Sequence, residues 1–492
     1  MPFATPSCGA LLGEQGRGVI RFRGIPYATA QRFGQPIPAP PWAGTRDATR
    51  HGPIPPQPQS RLRAAMGDID RPQDEDCLTL TLATPAIDGA RRPVLVFLHG
   101  GAYWTGAGSL DWYDGGTLAA ENGCVVVGVN YRLGALGFLA HPDVSPGNLG
   151  IADMVTALRW VATHIASFGG DPDNVTVIGQ SAGAHAIMVL LTETASDGLF
   201  HRAVLMSTPP SLATKTTQAA AQDAVFLADK LGTTPGGLAQ VPVPGLIDAG
   251  LQRARTNARF ADATPPFIPV SDAFADPDSF IAAAARAAAS RGIALIIGTT
   301  REEMHAFFAP DPAMATPDPA LVAATFARLA GDAAAIEAYR ARRPGATTRD
   351  LLGDLVTDDM FLRPSIGLAD AVTASGGRVH LYQFDWAAPA NPFMACHCID
   401  LPFLFGNFEA WTDARMLAGA DPAQLATLSA AFRAALAAFA RDGDPTSPGL
   451  RWPPYRAPSR ITMAYGAVIR QLGDLAGAGW RLAPHTRTEH SA

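Results

Sequence analysis

The sequence predicts an α/β protein in which helices cover both faces of one large, mostly parallel sheet. Segments typical of strands and of helices alternate from about residue 20 to 385. The strand-like segments are short, apolar and mostly β-branched, and they lack the polar alternation of a strand with one face in water. We therefore expect both faces of the sheet to be buried. The predicted strands are 94–98, 125–129, 175–178, 203–206, 294–297 and 379–384.

Helical patterns lie between these strands, as a parallel sheet requires of its crossover connections. One pattern spans 151–167, starting after Gly150 and ending before a Phe-Gly-Gly-Asp-Pro turn. A second spans 184–191 and follows a strand with almost no intervening loop.

Two alanine-rich stretches, 213–262 and 311–375, are helical but lie far from any strand signal. We expect them to be inserts that cover the sheet and the active site. The proline-rich run 36–58 is predicted to be a loop. No internal repeat or long linker divides the chain, so residues 1–492 are expected to form a single domain.

Composition favours a globular enzyme. Hydrophobic residues make up 48% and charged residues 17% of the chain. A net charge of −6 argues against nucleic acid or an anionic membrane as the main partner. The N-terminus is not a secretory signal and no run of about 18 apolar residues occurs, which predicts a cytoplasmic protein.

The five cysteines are too few to staple a chain of this length and are expected to be reduced thiols. Cys396 and Cys398 flank His397, but adjacent donors cannot readily face one metal ion, and no second cluster completes four ligands. We expect neither a metal nor another cofactor.

The most informative motif is Gly-x-Ser-x-Gly at 179–183, which lies between the predicted strand 175–178 and the predicted helix 184–191. A serine at such a sharp turn is forced out of the strand, and the two glycines remove side chains that would collide. The turn lifts the Ser181 hydroxyl clear of the sheet. Ser181 is therefore the candidate nucleophile.

A serine nucleophile needs a histidine base and an acid that orients it, and in this strand–turn–helix arrangement both follow the serine along the chain. The strand 294–297 leads into Glu302 and Glu303, and spacing alone leaves open which is the acid and whether either is only a solvated loop charge.

His397 follows the strand 379–384 and is the candidate base. The other histidines after residue 302 are less suitable: His305 is too close to the acid, His380 lies inside a strand, and His485 and His490 lie in the tail.

Backbone donors for an oxyanion are expected after the strand 94–98, where His-Gly-Gly-Ala-Tyr-Trp begins at His99. Small residues there let backbone N–H groups approach a substrate. The N–H of Ala182, at the start of the helix after Ser181, adds a further donor. His99 is expected to brace the loop.

Taken together, these motifs resemble the type-B carboxylesterases, the superfamily of the cholinesterases and the bacterial p-nitrobenzyl esterases. The resemblance covers roughly residues 5–465 and rests on motifs at 22–28, 75–80, 99–102, 130–134, 147–150, 168–172 and 179–183, together with Asp153 and His397. It implies the α/β-hydrolase fold.

The resemblance also implies roles for individual residues. These are a catalytic triad of Ser181, Glu303 and His397; oxyanion donors Gly101, Ala102 and Ala182; Gln180 and Ser207 beside the catalytic residues; and structural ion pairs Arg32–Glu75 and Arg132–Asp153. By this carry-over Glu303, rather than Glu302, is the acid.

Four departures from the family pattern bear on substrate and stability. Gln180 replaces the usual glutamate before the nucleophile, and Met304 replaces a glycine after the acid. Pro55 stands where many relatives have the cysteine that pairs with Cys77, so this disulfide is expected to be absent. The segment 56–76 contains no aromatic residue, whereas cholinesterases place there the tryptophan that binds quaternary ammonium.

The expected function is that of a serine carboxylesterase acting on small to medium neutral esters, with a small-molecule ester as its partner and a monomer or small homo-oligomer as its assembly. An amidase or lactonase on the same triad is the alternative, and a non-catalytic relative or a long-chain lipase is less favoured. Six aromatic residues near the motifs are candidates for an apolar pocket or for core packing: Trp104, Phe267, Phe307, Phe308, Phe361 and Phe393.

Overall fold

The computed structural model describes residues 1–475 except Ala263. Within these residues, eleven strands form one large sheet. In chain order they are β1 Glu14–Gly16, β2 Val19–Pro26, β3 Thr79–Thr84, β4 Arg92–Leu98, β5 Val125–Val129, β6 Gly170–Gln180, β7 Arg202–Met206, β8 Ala294–Thr300, β9 Val379–Phe384, β10 Thr462–Tyr465 and β11 Ile469–Leu472. The tail histidines His485 and His490 lie outside the described residues.

The strand order across the sheet is β11-β10-β9-β8-β7-β6-β4-β5-β3-β2-β1. The seven strands from β10 to β5 run parallel. Antiparallel strands extend the sheet on both sides, with β11 beside β10 and β3, β2 and β1 beyond β5. The prediction of a mostly parallel sheet is therefore correct, and each of the six predicted strands is present.

Helices cover both faces of this sheet. The α-helices are α1 Arg63–Met66, α2 Gly116–Asn122, α3 Gly134–Phe138, α4 Leu149–His164, α5 Ala182–Thr192, α6 Thr217–Leu231, α7 Val243–Asn257, α8 Pro277–Ser290, α9 His305–Phe308, α10 Pro319–Ala330, α11 Ala335–Arg342, α12 Thr348–Thr357, α13 Arg363–Ala374, α14 Leu401–Phe405 and α15 Pro422–Asp442. A π-helical turn, Asp358–Leu362, joins α12 to α13. The predicted helix 151–167 consists of α4 followed by the 3₁₀ turn Ile165–Phe168.

Further 3₁₀ turns are short and lie in connections: Asp111–Tyr113, Thr194–Ser196, Gly236–Gln240, Asp272–Phe274, Pro312–Met314, Phe408–Trp411 and Arg415–Leu417. Three small sheets lie outside the main one and comprise Phe3–Ala4 with Ala10–Leu12 and Thr45–Asp47, Ala28–Thr29 with Ile37–Pro38, and Ala140–His141 with Ser145–Pro146. The proline-rich run 36–58 is therefore mostly loop but contributes two short strands.

Apolar packing explains the layered arrangement. Parallel strands are buried on both faces, so each face of the sheet has its own large apolar cluster. A third cluster fills the space between α10, α11 and α12 and includes Met304 and Phe308 from the segment after β8. The predicted insert 311–375 is thus helical and packs onto the loop that carries Glu303. The insert 213–262 contains α6 and α7.

Among the described residues, one helix, α15, is long and apolar enough to cross a membrane by length and composition. Of its most apolar window, 61% is buried inside the protein. Such burial is typical of a core helix, and one apolar helix of this length is weak evidence for a membrane span.

Candidate active site

Ser181 occupies the sharp turn between the end of β6 and the start of α5. Its backbone has φ +55° and ψ −118°, a conformation that side chains rarely adopt. The flanking glycines make the turn possible: a Cβ on Gly179 would lie 2.4 Å from the carbonyl carbon of Gly183, and a Cβ on Gly183 would lie 2.0 Å from the carbonyl oxygen of Leu98. Helix α5 therefore lies too close to its own strand β6 at Gly179, and to the neighbouring strand β4 at Gly183, for any other residue at these positions.

Glu303 and His397 are in direct contact. The Oε2 atom of Glu303 lies 2.5 Å from Nδ1 of His397. Both side chains are buried, with 0% and 1% of their surface exposed. The second carboxylate oxygen of Glu303 accepts a hydrogen bond of 2.7 Å from the backbone N–H of Thr300. The carboxylate is thus held at the end of β8 and aimed at the imidazole that follows β9.

Glu302 has a different environment and is not a solvated loop charge. Only 4% of its surface is exposed. One carboxylate oxygen accepts from the backbone N–H of Ala395 at 3.0 Å, and the other pairs with the Arg301 guanidinium at 2.6 Å. Its side chain therefore holds the His397 loop against the loop after β8, while Glu303 contacts the imidazole itself.

The other ring nitrogen of His397 faces Gln180. The amide nitrogen of Gln180 lies 3.1 Å from Nε2 of His397. When Nδ1–H donates to Glu303, the Nε2 lone pair is free to accept, so the neutral tautomer suits both contacts. Gly100 leaves room for this side chain, since a Cβ there would lie 2.1 Å from Oε1 of Gln180. Ser181 and His397 line the same cavity.

The loop after β4 has consecutive residues with positive φ, a conformation that favours small residues. Gly101 has φ +111° and Ala102 has φ +58°, and both line the cavity with Ser181. A Cβ on Gly101 would lie 2.0 Å from the carbonyl oxygen of Thr105, so glycine is required there. Ala182 is buried as the first residue of α5.

Buried side chains hold this loop in place. His99 stacks on Tyr131, whose hydroxyl donates to the His99 carbonyl oxygen at 2.7 Å. The Tyr103 hydroxyl lies 2.6 Å from Nδ1 of His185, on α5, the helix that follows Ser181. Burial lowers the pKa of both His99 and His185 to about 4, so both rings are neutral near pH 7. His99 braces the loop, as its position in the sequence predicts.

A buried carboxyl group, Asp400, lies behind the candidate triad. The Tyr382 hydroxyl donates to its Oδ2 atom at 2.7 Å, and among the described residues Oδ1 has no partner. Burial raises the pKa of Asp400 to about 7, and the charge of Glu303 acts in the same direction. Asp400 is not among the residues predicted from the sequence, where its only signal is an acidic residue within the apolar run after His397.

Ser207 and the two expected ion pairs complete the surroundings. Ser207 follows β7, and its buried hydroxyl has no partner among the described residues. The Arg132 guanidinium donates two hydrogen bonds of 2.7 and 2.9 Å to the buried carboxylate of Asp153. Arg32 likewise pairs with Glu75.

All five cysteines, the buried Cys77 included, are free thiols. Within the described part of the chain, no cluster of His, Cys, Asp and Glu suits a metal ion.

The cavity has a volume of about 880 Å³ including its open mouth. Two of the six candidate aromatic residues, Trp104 and Phe307, line it. Phe307 and Phe361 pack against the imidazole of His397, with ring centroids 5.4 and 5.3 Å away. The remaining three lie in packing positions instead: Phe267 contacts Trp104, and Phe308 and Phe393 belong to apolar clusters.

Comparisons with known proteins agree with this geometry. The model of the "Carboxylesterase family" matches residues 2–468. The chain is 36% identical to the para-nitrobenzyl esterase of Bacillus subtilis, over 94% of this chain and 95% of that protein. It is also 36% identical to the phenmedipham hydrolase of Pseudarthrobacter oxydans, with the same coverage.

A solved carboxylesterase from Geobacillus stearothermophilus superposes with a TM-score of 0.85 at 33% identity, covering 97% of this chain and 100% of that one. The predicted α/β-hydrolase fold and the predicted family are therefore confirmed.

Proposed function

Because the chain belongs to the carboxylesterase family and is a carboxylic ester hydrolase, we propose that Ser181, Glu303 and His397 are its catalytic triad. The observation that carries this assignment is the Glu303–His397 contact of 2.5 Å beside a cavity that Ser181 also lines. With a carboxylate on Nδ1, Nε2, which faces the Gln180 amide in this structure, is the ring nitrogen that can accept a proton from a serine nucleophile.

The chemistry proceeds in two halves. As the Ser181 oxygen bonds to the ester carbonyl carbon, its proton passes to Nε2 of His397. The bond to the leaving oxygen then breaks, and His397 returns that proton to the departing alcohol. Water attacks the acyl-enzyme in the same way and releases the carboxylic acid and free Ser181. Glu303 stabilises the imidazolium that forms in each half.

The oxyanion of each tetrahedral intermediate is bound by the backbone N–H groups of Gly101, Ala102 and Ala182. The left-handed backbones of the first two and the position of the third at the N-terminus of α5 support this role. Losing one such donor typically costs about 3–4 kcal/mol of transition-state stabilisation.

The proposed substrates are small to medium esters, neutral rather than cationic. A cavity of about 880 Å³ is within the usual range for small-molecule sites. Gln180 places an amide, not a carboxylate, 3.1 Å from the catalytic imidazole, so it offers no charge to a quaternary ammonium group. The alternatives of an amidase, a lactonase or a non-catalytic relative are less favoured, since the family and the B. subtilis relative are named for ester hydrolysis.

We also propose a domain organisation, a cellular location and an assembly state for the protein. The described part of the chain forms a single domain, because strands of the main sheet come from residues 14 to 472. The protein acts in the cytoplasm as a monomer or small homo-oligomer and needs no cofactor. The five free cysteines suit a reducing compartment.

A panel of esters tests the substrate class. We expect kcat/KM for p-nitrophenyl butyrate to be clearly higher than that for p-nitrophenyl palmitate. We also expect kcat/KM for butyrylcholine to be no higher than that for butyl butyrate. Steady-state kinetics on both pairs decide the matter. A preference for palmitate, or for the choline ester, would contradict the proposed pocket.

A further inference from the structure

One turn of the helical insert 311–375 reaches the imidazole of His397. The π-helical turn Asp358–Leu362 interrupts an otherwise continuous helical run from α12 to α13. Such turns are rare within helices and occur frequently at functional sites. Phe361 lies in this turn, and its ring packs against His397 with the centroids 5.3 Å apart and the ring planes at 50°. The proposed esterase chemistry assigns no role to Phe361.

The polar partners of His397 hold only the two nitrogens of its ring. Glu303 contacts Nδ1 at 2.5 Å, and the amide nitrogen of Gln180 lies 3.1 Å from Nε2. Contacts at these two atoms leave the imidazole free to tilt about the line between them, whereas rings packed against it oppose that tilt. Phe361 and Phe307 are such rings. Because Nε2 must reach the serine hydroxyl in the proposed reaction, the tilt of the imidazole affects the rate.

The π-helical turn is itself bonded to segments on the catalytic side. Thr357, the residue directly before the turn, accepts a hydrogen bond of 3.2 Å through its hydroxyl oxygen from the backbone N–H of Met304. Met304 follows Glu303 in the chain. Within the turn, the carbonyl oxygen of Met360 accepts a hydrogen bond of 3.2 Å from the hydroxyl of Ser211, which lies in the segment after β7. The turn is therefore fixed relative to the segments that follow β8 and β7.

Phe361 contacts the imidazole from within the protein and not from the cavity. It is 3% exposed and is absent from the residues that line the cavity, whereas Phe307 is among them. Phe361 belongs to the third apolar cluster together with Met304, which stands where the family resemblance predicts a glycine. The Met304 side chain thus adds apolar contact between the insert and the loop that carries Glu303. A bound ester would meet Phe307 but not Phe361.

We propose that Phe361 is a positioning residue for His397, so that the insert 311–375 acts on the rate of ester hydrolysis through this ring. The proposal rests on the catalytic triad proposed above and deepens it by naming a group that orients the base. It predicts a specific kinetic pattern. Changes at Phe361 lower kcat, because the imidazole is less well oriented, and leave KM nearly unchanged, because the ring does not contact the bound ester.

The same cluster offers a matched control. Phe326, on α10, is 0% exposed, belongs to the same apolar cluster and packs edge-on against Tyr339 with the ring centroids 5.5 Å apart. Among the described residues, the phenylalanine rings in contact with His397 are Phe307 and Phe361. Replacing Phe361 or Phe326 by leucine removes the same atoms from the same cluster, so the loss of packing is matched. Only the change at Phe361 removes a contact with the imidazole.

The experiment measures kcat and KM for p-nitrophenyl butyrate together with the melting temperature. Phe361→Leu should lower kcat about 10- to 100-fold and change KM less than about threefold. Phe326→Leu should lower the melting temperature by a similar amount and keep the wild-type kcat. Phe361→Met fills the position with a flexible apolar side chain of similar size, so it should remain folded and show the same loss of kcat.

Three results would overturn the inference. They are a wild-type kcat in either folded Phe361 variant, an equal fall of kcat in Phe326→Leu, and a rise of KM in the Phe361 variants with no fall of kcat. His397→Asn, measured alongside, separates this inference from the function on which it rests. If His397→Asn kept the wild-type kcat, the proposed triad would be wrong. If it lost activity while the Phe361 variants kept theirs, only the role of Phe361 would fail.

Discussion

The two sides of the cavity are built in different ways. On the catalytic side Ser181, Glu303 and His397 follow strands β6, β8 and β9, and neighbouring groups hold them on several sides. The rest of the cavity wall comes from loops and inserts, and it includes Arg61 and Trp104, which contact the rings of Phe307 and Phe267. The proposed triad therefore determines the reaction, while the rest of the wall determines which esters reach it.

Tolerance to substitution should differ in the same way. At the catalytic turn, Gly179 and Gly183 have no space for a Cβ, so a methyl group there would have to displace backbone. The wall has a side chain, Arg61, that reaches solvent. Wall residues can change without disturbing the sheet, and such changes alter binding of the substrate before they alter the chemical step.

The largest effect should come from the nucleophile. Ser181→Ala is expected to keep the fold and to lower kcat for p-nitrophenyl butyrate by about 10⁴- to 10⁶-fold, because no other group can form the acyl-enzyme. Circular dichroism checks that the variant is folded, and an assay of p-nitrophenol release measures kcat. An organophosphate should add one mass adduct to the wild type, on the peptide that contains Ser181. An adduct on another peptide, or an active alanine variant, would show that the nucleophile lies elsewhere.

The next largest effect should separate the two neighbouring glutamates. Glu303→Gln is expected to lower kcat by about 10²- to 10⁴-fold, because a neutral amide cannot stabilise the imidazolium and favours the wrong tautomer of His397. Glu302→Gln should leave kcat within a few-fold and lower the melting temperature, since it loses the ion pair with Arg301. Both variants are measured at the same pH with the same ester. The reverse ranking of kcat would mean that Glu302 is the acid.

The difference between the two sides also explains how much could be predicted from the sequence. The strands were predictable because burial on both faces leaves a run of apolar residues, and the turn at Ser181 because its glycines are sterically required. Glu302 and Glu303 were not separable by spacing, because both follow β8 and only the direction of each side chain decides which one meets His397. Family resemblance selected Glu303, and the contact of 2.5 Å agrees with it.

The wall was much less predictable. Of six aromatic residues near motif positions, only Trp104 and Phe307 line the cavity, because a ring beside a motif can as easily turn into the core. Arg61 lies in a polar loop whose sequence contains no periodic pattern, and only the path of the loop brings it to the cavity. Contacts between distant loops determine such positions, and a single sequence does not encode them as a local pattern.

The smallest of these effects should come from the wall and should appear in binding. Trp104 lines the cavity and packs edge-on against Phe267, so Trp104→Ala removes apolar surface that contacts bound ester both before and during reaction. We expect KM for p-nitrophenyl butyrate to rise about tenfold with kcat nearly unchanged, the pattern of lost uniform binding. Trp112→Ala is the matched control, because Trp112 stacks on Trp411 at 5.2 Å and does not line the cavity. That variant should lose stability and keep the wild-type KM. If both variants raised KM equally, the change would reflect a general loss of stability. If Trp104→Ala lowered kcat as strongly as Glu303→Gln, the cavity wall would take part in the chemical step. The contrast between the proposed triad and the rest of the wall would then fail.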